Sequence, residues 1–256
     1  HCPFCHGFEV RDLPVVQIVT HPAGLHPTGL FRQLTDRLTV VVVDNRPSTS
    51  RTREVVARFP SFRYVCQAEG GLNAARNRAL QEARGEVVAF TDDDAAVDAG
   101  WLSALLRNFD DPRVLCVTGL TMPAQLDTEA QELFEAYSPF GRGFDRRVFD
   151  VERWSPLAVG PVGAGANMAL RRSLPSLVGE FDEALDAGTP TRSGGDHEMF
   201  SRILAAGHRI VYDPAALSWH RHRRSMEELR DTLRGYGTGV YAMWTRALWQ
   251  QRNVAG

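Results

Sequence analysis

The chain has 256 residues, of which 43% are hydrophobic and 23% charged, so it is long enough to bury a sizeable core. This composition excludes a disordered tail and a small scaffold held together by disulfides. With 29 basic and 31 acidic residues the formal net charge is −2, and we expect no nucleic-acid partner because no basic field would attract one.

Strand-like and helix-like segments alternate along the chain, which predicts an α/β fold with a mostly parallel sheet flanked by helices. The predicted strands cover residues 15–19, 38–43, 62–66, 87–91, 114–118, 167–171 and 210–212. The predicted helices cover residues 49–58, 72–83, 101–109, 196–206 and 225–250, the last interrupted by Gly235, Gly237 and Gly239. Residues 122–162 show no clear period, and we expect them to form irregular loops.

Three consecutive aspartates, Asp92, Asp93 and Asp94, directly follow the predicted strand at 87–91. Ligands of open α/β sheets collect at the carboxyl ends of strands. Adjacent carboxylates repel one another unless a cation neutralises them, and Mg²⁺ or Mn²⁺ binds carboxylates together with phosphate oxygens. We therefore predict a metal–diphosphate site here, with simple capping of a helix as the structural alternative.

Two further clusters of titratable residues lie later in the chain. Asp196 and Glu198 fall in the first turn of a predicted helix, where a carboxylate is stabilised by the helix dipole and also suits a general base. His220 and His222 alternate on an extended segment and can therefore share one face, beside a metal or a diphosphate. The alternatives are capping for the carboxylates and a solvated surface for the histidines.

Several motifs follow one another in a defined order: V-V-V-D-N at 41–45, G-L-N-A-A-R-N at 71–77, D-D-D at 92–94, G-A-G-A-N at 163–167 and G-D-H-E at 195–198. Over residues 41–249 the chain thereby resembles the family 2 glycosyltransferases of the GT-A fold. This resemblance implies metal-dependent, inverting transfer of a sugar from a nucleotide-diphosphate donor to an acceptor hydroxyl.

The resemblance also implies roles for individual residues. Asp196 corresponds to the catalytic base, and Asp92, Asp94 and His220 correspond to the ligands of Mn²⁺ or Mg²⁺. The nucleotide side comprises Asp44, Asn45, Asn73, Arg76, Asp92 and Asp93. Gly165, Asn167, Glu198 and His222 are expected on the acceptor side or next to it.

The first forty residues do not fit that family. Cys2 and Cys5 form a C-x-x-C within residues 1–12, which resemble the redox-active region of thioredoxin reductase-like flavoproteins, and the likeness extends to about residue 43. We therefore divide the chain into a thioredoxin reductase-like segment at 1–40, which supplies the first strand and helix, a GT-A core at 41–224 and an amphipathic helix at 225–256.

Two alternatives to glycosyl transfer remain open. One is a non-catalytic remnant that binds a nucleotide sugar, because the replaced first strand alters the nucleotide site. The other is a thiol-disulfide or NADPH oxidoreductase fragment that uses Cys2 and Cys5.

The expected partners are a UDP-, GDP- or dTDP-linked sugar donor and a glycan or lipid-linked acceptor. The arginines within residues 142–153 favour an acceptor with anionic character. No apolar stretch approaches the ~20 residues of a membrane span, and we expect a cytoplasmic protein. The apolar stripe of the final helix, which contains Val240, Tyr241, Met243, Trp244, Leu248 and Trp249, is expected to pack on the core, with contact to the inner face of the membrane as the alternative.

Overall fold

The structure, a computed structural model, describes residues 15–21 and 39–254. Its strands are β1 (Val15–His21), β2 (Thr39–Asn45), β3 (Phe62–Gln67), β4 (Val87–Asp92), β5 (Ala95–Val97), β6 (Val114–Pro123), β7 (Arg147–Phe149), β8 (Asn167–Arg171) and β9 (Arg209–His220). Its helices are α1 (Arg51–Val56), α2 (Leu72–Glu82), α3 (Trp101–Leu106), α4 (Glu129–Tyr137), α5 (Leu174–Val178), α6 (Gly195–Ala205) and α7 (Met226–Val254). Short 3-10 turns cover Arg107–Asp110 and Gly160–Val162.

The nine strands form one sheet in the order β3-β2-β1-β4-β8-β6-β9-β5, with β7 also paired to β9. The α/β class, the flanking helices and the C-terminal helix are confirmed. Strands β2, β3, β4, β6 and β9 share one direction, whereas β1, β5, β7 and β8 run against them. The sheet is therefore more mixed than predicted, because β1 and β8 run antiparallel to the strands on either side of them. The sequence did not indicate this, since a buried strand is a run of apolar residues whether it pairs parallel or antiparallel.

The sheet has a hydrophobic core on each face, because successive strand residues point to opposite sides. Val88 and Phe90 of β4 belong to the larger core, which also contains buried residues of α2 and α6. Val87 and Ala89 belong to the second core, which includes Trp101 of α3. The strands thus form a sheet that is packed on both faces, and polar residues lie at the carboxyl ends of its strands.

Several elements differ from the prediction, among them β9, α4 and α7. Strand β9 has 12 residues and continues to His220, because it pairs with β6 along one edge and with β5 and β7 along the other. Helix α4 lies within the segment predicted to be irregular, and Thr128 caps it by accepting a hydrogen bond from the Gln131 amide. Helix α7 continues through its three glycines, although glycine disfavours helix, because tertiary packing outweighs intrinsic preference.

The apolar stripe of α7 divides between core and surface. Met243 is 2% exposed, whereas Tyr241, Leu248 and Trp249 are more than half exposed. The expectation of core packing is therefore right for Met243 and wrong for the other three and for Trp244, which is 41% exposed. At about 100° per residue, these four side chains lie at least about 100° around the helix from Met243. Within the described residues, no helix combines the length and apolar character that a membrane span requires.

Candidate functional site

Asp92, Asp94 and His220 meet where β4 and β9 end. Strand β5 pairs with β9 so that Ala95 lies opposite His220, which brings the preceding aspartates beside the imidazole. The Nε2 atom of His220 lies 3.0 Å from Asp94 Oδ1 and 3.9 Å from Asp92 Oδ2. One ligand atom from each residue falls within 4.8 Å of the others. Two carboxylates and an imidazole form a donor set that suits Mn²⁺ or Mg²⁺.

The charges of this group are strongly coupled. Burial raises the pKa of Asp92 more than His220 and Arg76 lower it, and burial with the charges of Asp94 and Asp92 raises the pKa of Asp93 to about 7. Burial also acts against Asp94, but its hydrogen bond with His220 leaves its pKa below the ordinary value. The same hydrogen bond outweighs burial and raises the pKa of His220. A divalent cation would offset the repulsion among these carboxylates.

Asp44 and Asn45 present unsatisfied acceptors at the same end of the sheet. Strand β1 pairs Val15 with Asp44 and Val16 with Asp92, so the two carboxylates flank one end of this strand. Asp44 is buried, and its Oδ2 accepts a hydrogen bond of 2.9 Å from the Tyr64 hydroxyl. Its Oδ1 and the Asn45 Oδ1 are buried without a partner among the described residues. Such acceptors are suited to N–H donors of a bound molecule.

Burial and the neighbouring Asp44 carboxylate raise the pKa of Tyr64 to about 12. The phenol therefore remains protonated at neutral pH and donates its hydrogen to Asp44. This bond holds one oxygen of the carboxylate and leaves the other for a ligand.

Asp196 lies in the first turn of α6, as predicted, and its carboxylate is held by two backbone amides. Oδ2 accepts from Gly165 N and Oδ1 accepts from His197 N, both at 2.8 Å. A Cβ atom at position 165 would lie 2.5 Å from Arg76 Nη2, so only glycine allows this approach. Burial acts to raise the pKa of Asp196, but His197, Arg76 and the amides lower it below its ordinary value. The carboxylate is therefore ionised at neutral pH.

Arg76 carries a buried positive charge that interacts with both Asp92 and Asp196. It is 4% exposed, and its Nη1 lies 2.7 Å from Asp186 Oδ2 and 3.0 Å from Asn73 Oδ1. Burial opposes its charge, but Asp186, Asp196 and Asp92 together raise its pKa. Arg76 was predicted on the nucleotide side, whereas the structure directs its guanidinium to Asp186, because a buried cation requires a paired carboxylate. Asn73 is likewise engaged within the protein and donates to the carbonyl of Asp182 at 2.8 Å.

The residues predicted on the acceptor side have different surroundings. Gly165 contacts Asp196 directly. Glu198 is buried and forms an ion pair of 2.7 Å with Arg202 one turn later. His222 is also buried, with its Nε2 2.6 Å from Glu135 Oε1. The rings of His220 and His222 are 5.5 Å apart, so they do share one region, although His222 lies outside the group that could hold a metal.

Asn167 was predicted near the acceptor. Its side chain is instead fully buried, and its hydrogen bonds join β8 to β6, β9 and α3. Its Oδ1 accepts from the Trp101 indole at 2.8 Å, and its Nδ2 donates to the carbonyls of Leu120 and Ala216 and to Ser218 Oγ. It has no surface to offer an acceptor, because strands β4 and β6 enclose the strand that it begins.

Asn167→Ala should lower the free energy of unfolding by about 3 kcal/mol, because it leaves buried donors and acceptors without partners. Chemical denaturation of the purified variant measures this loss. Asn45→Ala is the control, since Asn45 Oδ1 has no partner among the described residues, and it should cost less than about 1 kcal/mol. Equal stability of the two variants would contradict this structural role.

The arginine-rich segment is partly used for folding. Arg142 donates to the carbonyls of Gly160 and Pro139, and Arg146 donates to Asn108 Oδ1 at 2.8 Å and 3.0 Å. These guanidinium groups satisfy polar atoms that an irregular segment leaves without secondary-structure partners. The expectation of an anionic acceptor therefore depends on the remaining arginines of the segment, Arg147 and Arg153.

Four residues of the site were not predicted from the sequence: Tyr64, Glu135, Asp186 and Tyr236. Each reaches the site through the tertiary fold and lies outside the motifs, so no local pattern indicates it. Asp186 is 110 positions from the arginine that it binds and has φ +83°, which a non-glycine residue seldom adopts. Tyr236 of α7 packs against Phe134 and Phe140, close to His222.

Comparison with protein families identifies a match to the model described as "Glycosyl transferase family 2" over residues 28–174. The match includes residues 28–43, so the family begins before residue 41, and the likeness of these residues to flavoproteins is not supported. Cys2 and Cys5, which carry that comparison, lie outside the described residues.

Two curated relatives are similar over most of this chain. The pre-mycofactocin glycosyltransferase of Mycobacterium tuberculosis is 31% identical over 228 residues, which covers 87% of this chain and 45% of that protein. An N-acetylglucosaminyltransferase of Rhizobium meliloti is 26% identical over 223 residues, which covers 82% of this chain and 51% of that protein. The chain thus spans about half the length of these curated relatives.

Two solved structures share the fold at 15% sequence identity, each over 72% of this chain. GalNAc-T7 with UDP, GalNAc and Mn²⁺ has a TM-score of 0.52 and is covered to 38%. S. aureus TarS, residues 1–349 in complex with UDP-GlcNAc, has a TM-score of 0.51 and is covered to 50%. At this identity the likeness establishes the fold alone.

Proposed function

The chain belongs to glycosyl transferase family 2 and has the GT-A fold, and from this premise we propose that it is a metal-dependent, inverting glycosyltransferase. It would move a sugar from a nucleotide-diphosphate donor to an acceptor hydroxyl. The observation that carries this proposal is the grouping of Asp92, Asp94 and His220, whose ligand atoms lie within 4.8 Å of one another at the carboxyl end of β4.

The nucleotide would bind at the end of β2. The unpartnered Oδ1 atoms of Asp44 and Asn45 would accept the N–H groups of the base. Asp92 ends β4, which β1 separates from β2, and Asp92 and Asp93 would contact the ribose and diphosphate. A uridine nucleotide is supported by the fold neighbours, of which one is bound to UDP and the other to UDP-GlcNAc, while GDP and dTDP remain alternatives.

A divalent ion, Mn²⁺ or Mg²⁺, would be held by Asp92, Asp94 and His220. The residues fit this role because their ligand atoms already face one another, and because mixed carboxylate and imidazole sites suit Mn²⁺. When bound, such an ion supplies Lewis-acid stabilisation of the charge that develops on the leaving nucleoside diphosphate. A fold neighbour named with Mn²⁺ supports this choice of metal.

Asp196 would act as the general base. Its ionised carboxylate would accept the proton of the acceptor hydroxyl while that oxygen forms a bond to the anomeric carbon. The bond from this carbon to the donor diphosphate breaks on the opposite face, so the configuration inverts in a single displacement. The Gly165 amide and Arg76 would keep the carboxylate ionised and oriented.

We further propose that residues 41–224 form the catalytic core and that residues 225–256 follow it as an amphipathic helix. Of the segment at 1–40, the structure describes β1 and residues 39–40, and the helix predicted there lies outside the described residues. The acceptor would be a glycan or lipid-linked molecule. A cytoplasmic protein could bring the exposed Tyr241, Leu248 and Trp249 of α7 to the inner membrane face, where aromatic residues are favoured.

Two other functions predict different results. A non-catalytic remnant would bind the nucleotide sugar without transferring it. A thiol-disulfide or NADPH oxidoreductase fragment would require Cys2 and Cys5, and would show flavin absorbance and NADPH oxidation.

Calorimetric titration of the purified chain with UDP, GDP and dTDP, each with and without Mn²⁺, tests the donor site. We expect binding of UDP that requires Mn²⁺, because the diphosphate would otherwise face uncompensated carboxylates. A folded chain that binds none of the three nucleotides in the presence of Mn²⁺ would contradict the proposal.

A further inference from the structure

Helix α7 carries a glycine notch, formed by Gly235 and Gly239, on its buried face. A Cβ atom at Gly239 would lie 2.5 Å from the Ser193 carbonyl carbon, and one at Gly194 would lie 2.5 Å from Gly239 O. The backbone at Ser193 and Gly194 therefore rests directly on the backbone of α7. A side chain larger than hydrogen at either contact would force the two segments apart.

Polar contacts hold the same segment against the helix. Ser193 Oγ donates to Gly235 O at 3.1 Å, and Arg192 forms an ion pair with Asp231, with Nη1 2.8 Å from Oδ1. These contacts extend over two turns of α7. They lie beyond residue 174, where the family match ends.

The segment from 186 to 194 depends on such support. Asp186 and Arg192 have φ values of +83° and +65°, and Gly194 has φ +97°. Non-glycine residues persist in this region only where their surroundings hold them. Gly194 is the N-cap of α6, two positions before Asp196, so any movement of the segment shifts the start of that helix.

The first turn of α6 also has little freedom on its other side. A Cβ atom at Gly195 would lie 2.6 Å from Asp186 Oδ2, which is bound to Arg76. The turn that carries Asp196 therefore lies between the Arg76–Asp186 ion pair on one side and α7 on the other.

We propose that the glycine notch of α7 positions Asp196, so that the C-terminal helix is a part of the catalytic apparatus. Gly239 is the positioning residue of this notch and acts through Ser193 and Gly194, while Gly235 contributes the backbone carbonyl that accepts the Ser193 hydroxyl. The proposal rests on the proposed function of Asp196 as the base. It makes a contact that involves no predicted donor or acceptor residue a determinant of the transfer step.

Gly239→Ala with Gly237→Ala as its matched control tests this proposal. Both changes add one methyl group within α7 and raise its intrinsic helix preference equally. Gly237 is exposed, and nothing lies within 4 Å of a Cβ atom there. We expect Gly239→Ala to lower kcat by at least about tenfold, because small displacements of a catalytic group are costly.

The Michaelis constant for the donor should change less than about twofold in both variants, since the donor residues lie elsewhere. If Gly239 served stability alone, Gly239→Ala would lower the melting temperature, but kcat would not fall selectively while KM stayed the same. A folded Gly239→Ala protein with the kcat of Gly237→Ala would overturn the proposal.

Hydrogen–deuterium exchange of residues 193–200 gives a second readout that needs no activity. We expect faster exchange in Gly239→Ala than in Gly237→Ala, and equal exchange would also overturn the proposal. If the wild-type chain transfers no sugar, the proposed function fails, while the exchange comparison still decides whether the notch holds the segment. If Gly239→Ala does not fold, Ser193→Ala replaces it, with faster exchange and a kcat about threefold lower expected from loss of the bond to Gly235.

Discussion

Asp196→Asn should reduce sugar transfer by at least about 100-fold, because an amide cannot accept the proton of the acceptor hydroxyl. The substitution preserves the size of the side chain, and its carbonyl oxygen can still accept from the Gly165 amide. Donor binding should remain close to that of the wild-type chain, since the change removes no predicted nucleotide or metal contact. Steady-state kinetics with a sugar acceptor and calorimetry with UDP and Mn²⁺ measure the two effects separately.

The matched control for this prediction is Asp127→Asn, which neutralises an exposed carboxylate paired with Arg224 at 3.1 Å. It should leave transfer unchanged, because exposed ion pairs contribute little. If Asp196→Asn were as active as this control, another group would have to accept the proton.

Asp94→Ala should weaken Mn²⁺-dependent binding of UDP by about 100-fold, since it removes one of three grouped ligand atoms. The change also removes the hydrogen bond of 3.0 Å that orients His220. Titrations with UDP at a series of Mn²⁺ concentrations measure the effect, which should appear as a higher Mn²⁺ requirement.

Asp93→Ala controls for the loss of a carboxylate from the same turn, because Asp93 lies outside that group of three. It should retain the Mn²⁺ requirement of the wild-type chain. An unchanged requirement in Asp94→Ala would place the metal elsewhere.

Much of this site could be predicted because it lies at the ends of regular elements. The buried strands preceding Asp44 and Asp92 are continuous apolar runs, and polar residues that end such runs collect at one edge of the sheet. Asp196 was recognisable because a carboxylate in the first turn of an amphipathic helix follows two glycines. His220 was recognisable because it alternates with His222 on an extended segment, and this position proved to be the end of a strand longer than predicted.

The partners of these residues were not predictable in the same way. Arg76 belongs to a recognisable motif, yet its pairing with Asp186 depends on a loop more than 100 positions later. Asn167 lies in a motif as well, but its buried position follows from four contacts that β6, β9 and α3 supply. Glu198 and His222 were assigned to the acceptor side, and both form pairs inside the protein.

Local patterns therefore established the alternation of strands and helices, the buried faces and the candidate carboxylates, since hydrophobic period and capping chemistry are properties of neighbouring residues. Three features became evident only in three dimensions: the reversed directions of β1 and β8, the Arg76–Asp186 pair and the continuity of α7 through its glycines. The physical reason is that burial and charge pairing depend on residues distant in the chain. No short stretch of sequence contains both members of such a contact.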